Sequence, residues 1–265
     1  MKSVASRYFL LLKEFARTSF MADVEYRANI VMKVLTDFIW YAAQFFLFEV
    51  LFRKVSGISG WTLDTSRVFL GILFMVDAFY MIFFSENLDQ FSDKVAKGDL
   101  DLILVKPVNS QFMVSTRKLN TAYFINIGLI AAWIGFAFSQ MANPDWWRLL
   151  YLIPMVPCGL VVVYSVRFFF SLLSIIFTRA ENINYVWFQI YKLGTRPDSL
   201  YPRWLRYTIL TIVPVAFVAS VPSRVVLGLD GVEFLGASLA IAVIFLYLTN
   251  RLWKYTLRFY TSASS

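Results

Sequence analysis

The sequence predicts an all-α, polytopic membrane protein with six transmembrane helices. Composition is the first reason: 59% of the 265 residues are hydrophobic, only 16% are charged, and the mean hydropathy is +0.63. A soluble domain normally has about a quarter charged residues. The second reason is that apolar stretches recur at lengths sufficient for a bilayer crossing, which takes about 20 residues. The third is the aromatic content of 18%, which suits a lipid-exposed bundle with aromatic belts at the membrane interfaces.

The first expected element is an amphipathic helix over residues 1–27. Tyr8, Leu11 and Phe15 can share one face while the charged residues lie elsewhere, a spacing that fits a helix lying in the membrane interface. An ordinary helical extension of the first span fits the sequence equally well. The mixture of charged and apolar residues leaves no clean apolar core, which argues against a cleavable signal peptide.

Long apolar stretches follow, and they predict five spans, over residues 28–52, 68–84, 120–138, 149–177 and 232–252. Pro154 and Pro157 predict a kink or unwinding near the start of the fourth span. The region between the fourth and last spans is ambiguous, because either residues 207–226 or a short amphipathic stretch over 182–193 can cross the membrane. Both alternatives give six crossings in a single domain over residues 1–265.

Basic residues predict the orientation of the chain. Lys and Arg are concentrated near the N-terminus, within residues 85–118 and at the C-terminus. By the positive-inside rule, both termini and residues 85–118 lie in the cytoplasm of a multi-pass protein of the inner (cytoplasmic) membrane. We attribute the net charge of +8 to basic loops facing anionic lipid and expect no nucleic acid partner.

Residues 85–118, called the charged segment below, are too polar for hydrocarbon and must meet water. Their carboxylates invite a search for a catalytic pair, but the chain has no histidine, and a solvated loop is the simpler interpretation. Cys158 is the only cysteine, which excludes an intrachain disulfide and a cysteine metal cluster. No phosphate-binding loop of the G-x-x-x-x-G-K-[ST] type occurs, so ATP-driven work requires an ATPase on another chain. We predict no catalytic residue, no metal and no cofactor.

Two charged residues lie within predicted spans, Asp77 in the second and Arg167 in the fourth. Intramembrane charges are costly and usually face a bundle interior or water, so they can line a translocation path. A structural ion pair, or an arginine that extends towards the interface, explains them equally well. Lys33 and Asp37 stand four residues apart in the first span and can form a structural pair on one helix face.

Three stretches carry a resemblance to a known family: EYRAN at 25–29, KGDLDLILVKPVNSQF at 97–112 and RPDSLYPRWLRYTILTIVPVAFVASVP at 196–222. Their order and spacing resemble those of ABC-2-type transporter permeases, the membrane subunits of ABC exporters, and within them an uncharacterised two-permease subfamily. The resemblance covers nearly the whole chain.

The resemblance implies an arrangement for the ambiguous region. The fifth span is then the short one, over residues 181–195, and the Tyr-Pro element lies on the extracytoplasmic side. Residues 204–227 dip partway into the membrane as a re-entrant helical hairpin, which suits the two prolines there because each removes a backbone donor. The resemblance also implies an extracytoplasmic gate formed by Pro197, Tyr201, Pro202, Pro214 and Pro222.

The function implied is that of the permease subunit of an ATP-binding cassette exporter for an amphipathic or hydrophobic substrate. The expected partners are ABC ATPase subunits, a second permease chain in a homo- or heterodimer, and the lipid bilayer. The resemblance assigns ATPase coupling to the charged segment, through Glu86, Asp89, Asp93, Lys97, Gly98, Asp99, Asp101, Lys106 and Pro107.

Two other classes of function stay open. A membrane-embedded enzyme acting on lipid would need convergent catalytic groups, which the missing histidine and the lone cysteine disfavour. Turnover by the purified chain without nucleotide would support it. A non-transporting scaffold would use the charged segment to hold a soluble partner, and it would carry no substrate flux.

Overall fold

The computed structural model describes residues 4–25, 27–55, 57–177 and 183–260. The structure is 82% helical and the described residues form no strand, which confirms the predicted all-α class. The α-helices are α1 (Val4–Glu25), α2 (Arg27–Lys54), α3 (Leu63–Tyr80), α4 (Glu86–Asp89), α5 (Phe91–Ala96), α6 (Asp101–Leu104), α7 (Ser110–Thr116), α8 (Phe124–Ser139), α9 (Leu152–Ile176), α10 (Ile183–Gly194), α11 (Arg203–Thr211), α12 (Ser220–Val226) and α13 (Glu233–Thr256).

Five helical stretches of the described chain are long and apolar enough to cross a membrane: Ile30–Lys54, Leu63–Ala96, Thr121–Ser139, Trp146–Ile176 and Glu233–Phe259. They overlap the five spans that hydropathy predicts, and the second of them is longer than predicted because it extends to Ala96. For the sixth crossing, the described residues contain no helix of that length. Part of the range predicted for it, 181–182, lies outside the described residues, and the 12 residues of α10 extend only about 18 Å against a hydrocarbon thickness of about 30 Å.

Helix α3 is the centre of the bundle and packs against α2, α8 and α9. In its most apolar stretch 72% of the residues are buried, against 11% for α2 and 17% for α13, so the latter two present wide apolar faces. A glycine allows the contact between α3 and α8, because a Cβ on Gly71 would lie 2.6 Å from Cγ1 of Ile134. Local signals fix the start of α3, where the side chains and backbone of Thr62 and Thr65 form a capping box.

The second span does not stop at the charged segment. A π-helical turn over Met81–Ser85 follows α3 directly, and α4 follows that turn, so helical structure continues from the bundle into the charged segment. The fourth span is likewise not unwound at Pro154 or Pro157, since α9 contains both prolines. The irregular part of that span is the 3₁₀-helical run Trp146–Tyr151 before it.

Polar contacts gather at two opposite ends of the bundle. At one end, Trp253 of α13 donates from Nε1 to Oγ of Ser110, 3.1 Å away, and the backbone N–H of Asn109 donates to the Tyr8 hydroxyl of α1 at 3.2 Å. The charged segment, α1 and the end of α13 therefore share one end. At the other end, Nε1 of Trp61 donates to Oγ of Ser199 over 2.9 Å.

The region predicted as a re-entrant hairpin contains two short helices, α11 and α12, joined through a 3₁₀ turn at Val215–Phe217. The backbone of this turn packs closely against two glycines of neighbouring helices. A Cβ on Gly159 of α9 would lie 3.1 Å from the Phe217 carbonyl oxygen, and one on Gly194 of α10 would lie 3.1 Å from that of Val215. Its depth in a membrane stays a prediction, as does the interfacial position of α1.

Candidate functional site

Hydrogen bonds join the two ends of the charged segment, and we call this junction its base. The Asn87 side chain donates from Nδ2 to the Lys118 carbonyl oxygen at 2.6 Å, and its Oδ1 accepts from the Lys118 backbone N–H at 3.0 Å. Asn87 is fully buried, and it joins positions that are 31 residues apart. Because one side chain satisfies two backbone groups, the ends of the segment are held at a fixed separation.

Helix α1 is attached to the residues just after this base. Oγ of Ser19 accepts from the Leu119 backbone N–H at 3.0 Å, and Oδ2 of Asp23 accepts from the hydroxyl of Thr121 at 2.6 Å. Further towards the N-terminus, the rings of Phe15 and Phe112 stack with centroids 6.3 Å apart. A displacement of the charged segment would therefore also displace α1.

The nine residues to which sequence analysis assigned coupling divide into two groups. Glu86 lies half-buried at the base, where Lys118 and Lys33 form ion pairs with its carboxylate, 3.3 and 3.9 Å apart. Gly98 and Asp101 are also half-buried. The exposed members, on the outer surface of the segment, are Asp89, Asp93, Lys97, Asp99, Lys106 and Pro107.

Two large apolar side chains at the tip of the segment point outwards, and sequence analysis missed them. Leu102 and Val105 are 64% and 80% exposed, whereas Leu100 and Ile103 are buried. We call Leu102 and Val105 the apolar tip. The available sequence signal is the run of four apolar residues at 102–105, because the segment buries only one side there and cannot cover all four. Exposed apolar groups with a polar rim are typical of protein-binding surfaces.

A left-handed glycine shapes the approach to the tip. Gly98 follows α5 with φ at 77°, a conformation that costs residues with a Cβ about 1 kcal/mol or more. Its N–H donates to the Val95 carbonyl oxygen at 3.2 Å, and its own carbonyl oxygen accepts from the Asp101 N–H at 3.1 Å. The glycine reverses the chain so that α6 can present the apolar tip.

Arg167 of α9 reaches the start of the charged segment. Its fully buried guanidinium donates from Nη2 to the Leu88 carbonyl oxygen at 3.0 Å, to Oδ1 of Asp89 at 2.9 Å and to Oδ1 of Asn184 at 2.6 Å. Asn184 belongs to α10, so one side chain joins α9, α10 and the charged segment. The carboxylate of Asp89 is 57% exposed, and it is this residue that forms the ion pair with Arg167, in place of Asp77.

Asp77 lies on α3 among tyrosines. The Tyr191 hydroxyl of α10 donates to its Oδ1 at 2.8 Å, and the Tyr41 hydroxyl of α2 donates to Oδ2 at 3.4 Å. Asp77 is 6% exposed, so it joins three helices from within the bundle. Asp77 and Arg167 therefore both contact α10, Asp77 through Tyr191 and Arg167 through Asn184.

The expected pair within the first span does not form. Nζ of Lys33 donates to Oδ1 of Asn120 at 3.2 Å, and Asp37 accepts at Oδ2 from Nδ2 of Asn126 at 3.2 Å. The prediction that Lys33 and Asp37 pair on one helix face is therefore wrong. Polar partners at the start of the third span lie within reach of both side chains, and these replace the weak contact along one helix.

At the opposite end of the bundle, Asp198 forms a buried cluster with two arginines. Its fully buried carboxylate accepts from Nη1 of Arg224 and, over 2.8 Å, from Nε of Arg206. Oγ of Ser220 accepts from its backbone N–H at 2.9 Å, and Arg224 also donates from Nε to Oδ2 of Asp230 at 2.6 Å. Because Arg206 lies on α11 and Arg224 on α12, Asp198 holds both arms of the predicted hairpin.

Sequence analysis selected the neighbours of Asp198 but not Asp198 itself. Of the five predicted gate residues, Pro197, Pro214 and Pro222 are buried, Tyr201 is half-buried and Pro202 is exposed. Burial raises the pKa of the Tyr201 hydroxyl, and nearby Arg196 opposes that rise. The sequence signal that could have identified Asp198 is charge, because residues 196–224 contain several arginines and this one aspartate.

A family model described as ABC-2 family transporter protein matches residues 38–264. Comparison with curated proteins found no match, and comparison with solved structures found none either.

Proposed function

Because this chain belongs to the ABC-2 family of transporter proteins, we propose that it is the permease subunit of an ATP-binding cassette exporter. It moves an amphipathic or hydrophobic substrate across the cytoplasmic membrane, and a separate ABC ATPase hydrolyses the ATP. Both termini and the charged segment lie in the cytoplasm.

The apolar tip carries this proposal. Leu102 and Val105 are the exposed end of a segment that Asn87 fixes at its base, and the exposed charged residues Asp99 and Lys106 flank them along the chain. Such a surface suits a soluble protein partner rather than lipid, because it combines a small apolar centre with carboxylates and lysines. The ATPase binds here, and the nine residues assigned to coupling form the base and rim of its contact.

Arg167 transmits movement of the charged segment into the membrane. It is fully buried and contacts both Asp89 and Asn184, so the segment and α10 move together while its three hydrogen bonds persist. Rigid elements joined by a hydrogen-bond network are a physical means of coupling between sites. Asp77 then joins α10 to α2 and α3 at a second level.

The substrate passes between two permease chains, along α2, α3 and α10. The exposed face of α2 supports this arrangement, since it leaves a wide apolar surface for a second permease, identical or different. Asp77 and Arg167 line or control the path. The hairpin of α11 and α12, with its prolines and the Asp198 cluster, closes the path at the extracytoplasmic end.

Binding of the ATPase tests the proposal. Candidate ABC ATPases from the same genome are co-expressed with the tagged permease, and both co-purification and ATP hydrolysis are measured. We expect Leu102→Asp with Val105→Asp to abolish co-purification, because two carboxylates replace the apolar centre of the contact. Leu229→Asp is the matched control, since Leu229 is 54% exposed near the opposite end of the bundle.

Three results separate the alternatives. Co-purification that survives the double substitution would sink the assignment of the apolar tip. An ATPase that binds the tip but hydrolyses ATP at the same rate with and without the permease would favour a scaffold. Turnover of lipid by the chain alone, without nucleotide, would favour an enzyme.

A further inference from the structure

A groove of about 540 Å³ lies between α7, α9 and α13, and Tyr8 of α1 stands at its edge. Its size falls within the range of about 300–1,000 Å³ that is usual for ligand sites. The helices α9 and α13 belong to two of the five membrane-spanning stretches, whereas α7 belongs to the charged segment. The groove therefore joins the membrane body to its polar end.

The polar side of the groove is preorganised. Nε2 of Gln111 donates to the Tyr164 hydroxyl at 3.0 Å, and Oγ of Ser115 lies 2.9 Å from the same hydroxyl in a second hydrogen bond. All three side chains are buried and line the groove. Thr116 and Asn250 add two further neutral polar side chains. Fixed, uncharged donors and acceptors of this kind suit a ligand that has hydroxyl, ester or amide groups.

The other side of the groove is apolar and reaches the membrane. It consists of Leu160 and Val161 on α9 and of Leu246 on α13, the last of which is 48% exposed. A ligand that fills both sides needs a polar head near α7 and a hydrocarbon tail along α9 and α13. That is the shape of a membrane lipid whose head lies at the same membrane face as the charged segment.

The lining indicates the charge of the head. Among the described side chains that line this groove, none is charged. The absence of charge is not a general property of this membrane face, because a neighbouring groove of about 280 Å³ is lined by Asp23, Glu86, Arg117 and Lys118. A phosphate head would be bound most tightly by arginine or lysine, and those residues line the neighbouring groove instead.

We propose that the groove between α7, α9 and α13 binds one membrane lipid with an uncharged, hydrogen-bonding head, of the diacylglycerol or glycosyl-diacylglycerol class. Gln111, Ser115 and Tyr164 bind the head, and Leu160, Val161 and Leu246 contact the tail. The proposal concerns the permease chain alone, so it does not depend on the ATPase or on transport.

Native mass spectrometry of the purified chain tests this binding. The chain is released from nanodiscs that contain equal amounts of dioleoylglycerol and dioleoyl-phosphatidylglycerol, and the lipid that stays bound is identified. We expect one dioleoylglycerol per chain, at an occupancy about tenfold above that of the phospholipid. Equal occupancy of the two lipids, or preference for the phospholipid, overturns the proposal.

Two substitutions locate the site. Val161→Trp fills the apolar side of the groove and is expected to reduce dioleoylglycerol occupancy about tenfold. Val243→Trp is its matched control, since Val243 is 67% exposed on α13 and is not a lining residue. Equal loss in both variants, or in neither, refutes this location.

A third variant separates the head from the tail. Gln111→Leu keeps the volume of the side chain but removes its hydrogen bonds, so we expect it to abolish the preference for the neutral lipid while a lipid tail still binds. Each variant must retain the elution profile of the parent chain in size-exclusion chromatography. A neutral-lipid preference that survives this substitution contradicts the role given to the polar side.

Discussion

Replacement of Asp198 by alanine is expected to destabilise the hairpin end of the bundle by about 3 kcal/mol, the low end of the cost of removing one partner from a buried ion pair. The Asp198 side chain is 0% exposed and that of Arg224 only 10%, so the substitution leaves an almost buried guanidinium without its main partner. Asp230 still pairs with Nε of Arg224, which keeps the cost from rising further.

The same geometry predicts an order among variants. Arg206 is 45% exposed, and its contribution falls in the range of surface pairs, about 1 kcal/mol or less, so Arg206→Ala should have the smallest effect. Arg224→Ala should resemble Asp198→Ala, since Asp198 then retains only the half-exposed Arg206. The double variant Asp198→Ala with Arg224→Ala should cost clearly less than the sum of the two single variants, because both remove one interaction.

Equilibrium unfolding of the purified chain in mixed micelles, followed by tryptophan fluorescence over a series of sodium dodecyl sulfate concentrations, measures these free energies. The reasoning is refuted if Asp198→Ala costs less than about 1 kcal/mol, which is the value of a surface pair. It is also refuted if Arg206→Ala costs as much as Asp198→Ala.

Three further predictions concern the bundle and the base of the charged segment. Asn87→Ala should raise hydrogen exchange throughout the charged segment, because the two hydrogen bonds to the Lys118 backbone are lost. Exchange in α13 should stay unchanged. Equal increases in both regions would contradict a local role of Asn87. In the complex with its ATPase, Arg167→Gln should leave ATP hydrolysis intact but abolish the ATP-dependent change in hydrogen exchange of α10. The control Arg258→Gln, at an exposed position, should preserve that change. Gly71→Ala should destabilise the bundle by about 1–3 kcal/mol, because the added methyl group overpacks against α8. Gly128→Ala should be neutral or stabilising, since its Cβ would meet open space. Equal effects of the two substitutions in thermal unfolding would count against the packing argument.

Hydropathy predicted where the long apolar helices of the structure lie, because a bilayer crossing imposes a length and a composition that a single sequence displays. It left the region of α10 ambiguous, because the 12 described residues of this helix are too short for that criterion. The hairpin helices α11 and α12 are shorter still, and their arrangement depends on contacts with Gly159 and Gly194 that no local pattern reveals.

For the candidate site, the sequence selected residues but could not predict their contacts. Intramembrane charge was enough to select Asp77 and Arg167, because such residues are rare in spans. Their partners could not be predicted, since Asp89 is 78 positions away from Arg167 and Tyr191 is 114 positions away from Asp77. Spacing along a helix suggested the wrong partner for Lys33, because contacts between elements outweigh a weak contact within one helix.

The contact between Asn87 and Lys118 makes the outer part of the charged segment replaceable. Its exposed residues can change while the amide still joins the same two backbone groups and while Asp89, Ser110 and Gln111 keep their contacts with the bundle. Under the proposed function, evolution can then alter which soluble partner is recruited without altering what crosses the membrane. An engineer can do the same by exchanging only the exposed residues between positions 99 and 107 of two members of this family and keeping the asparagine.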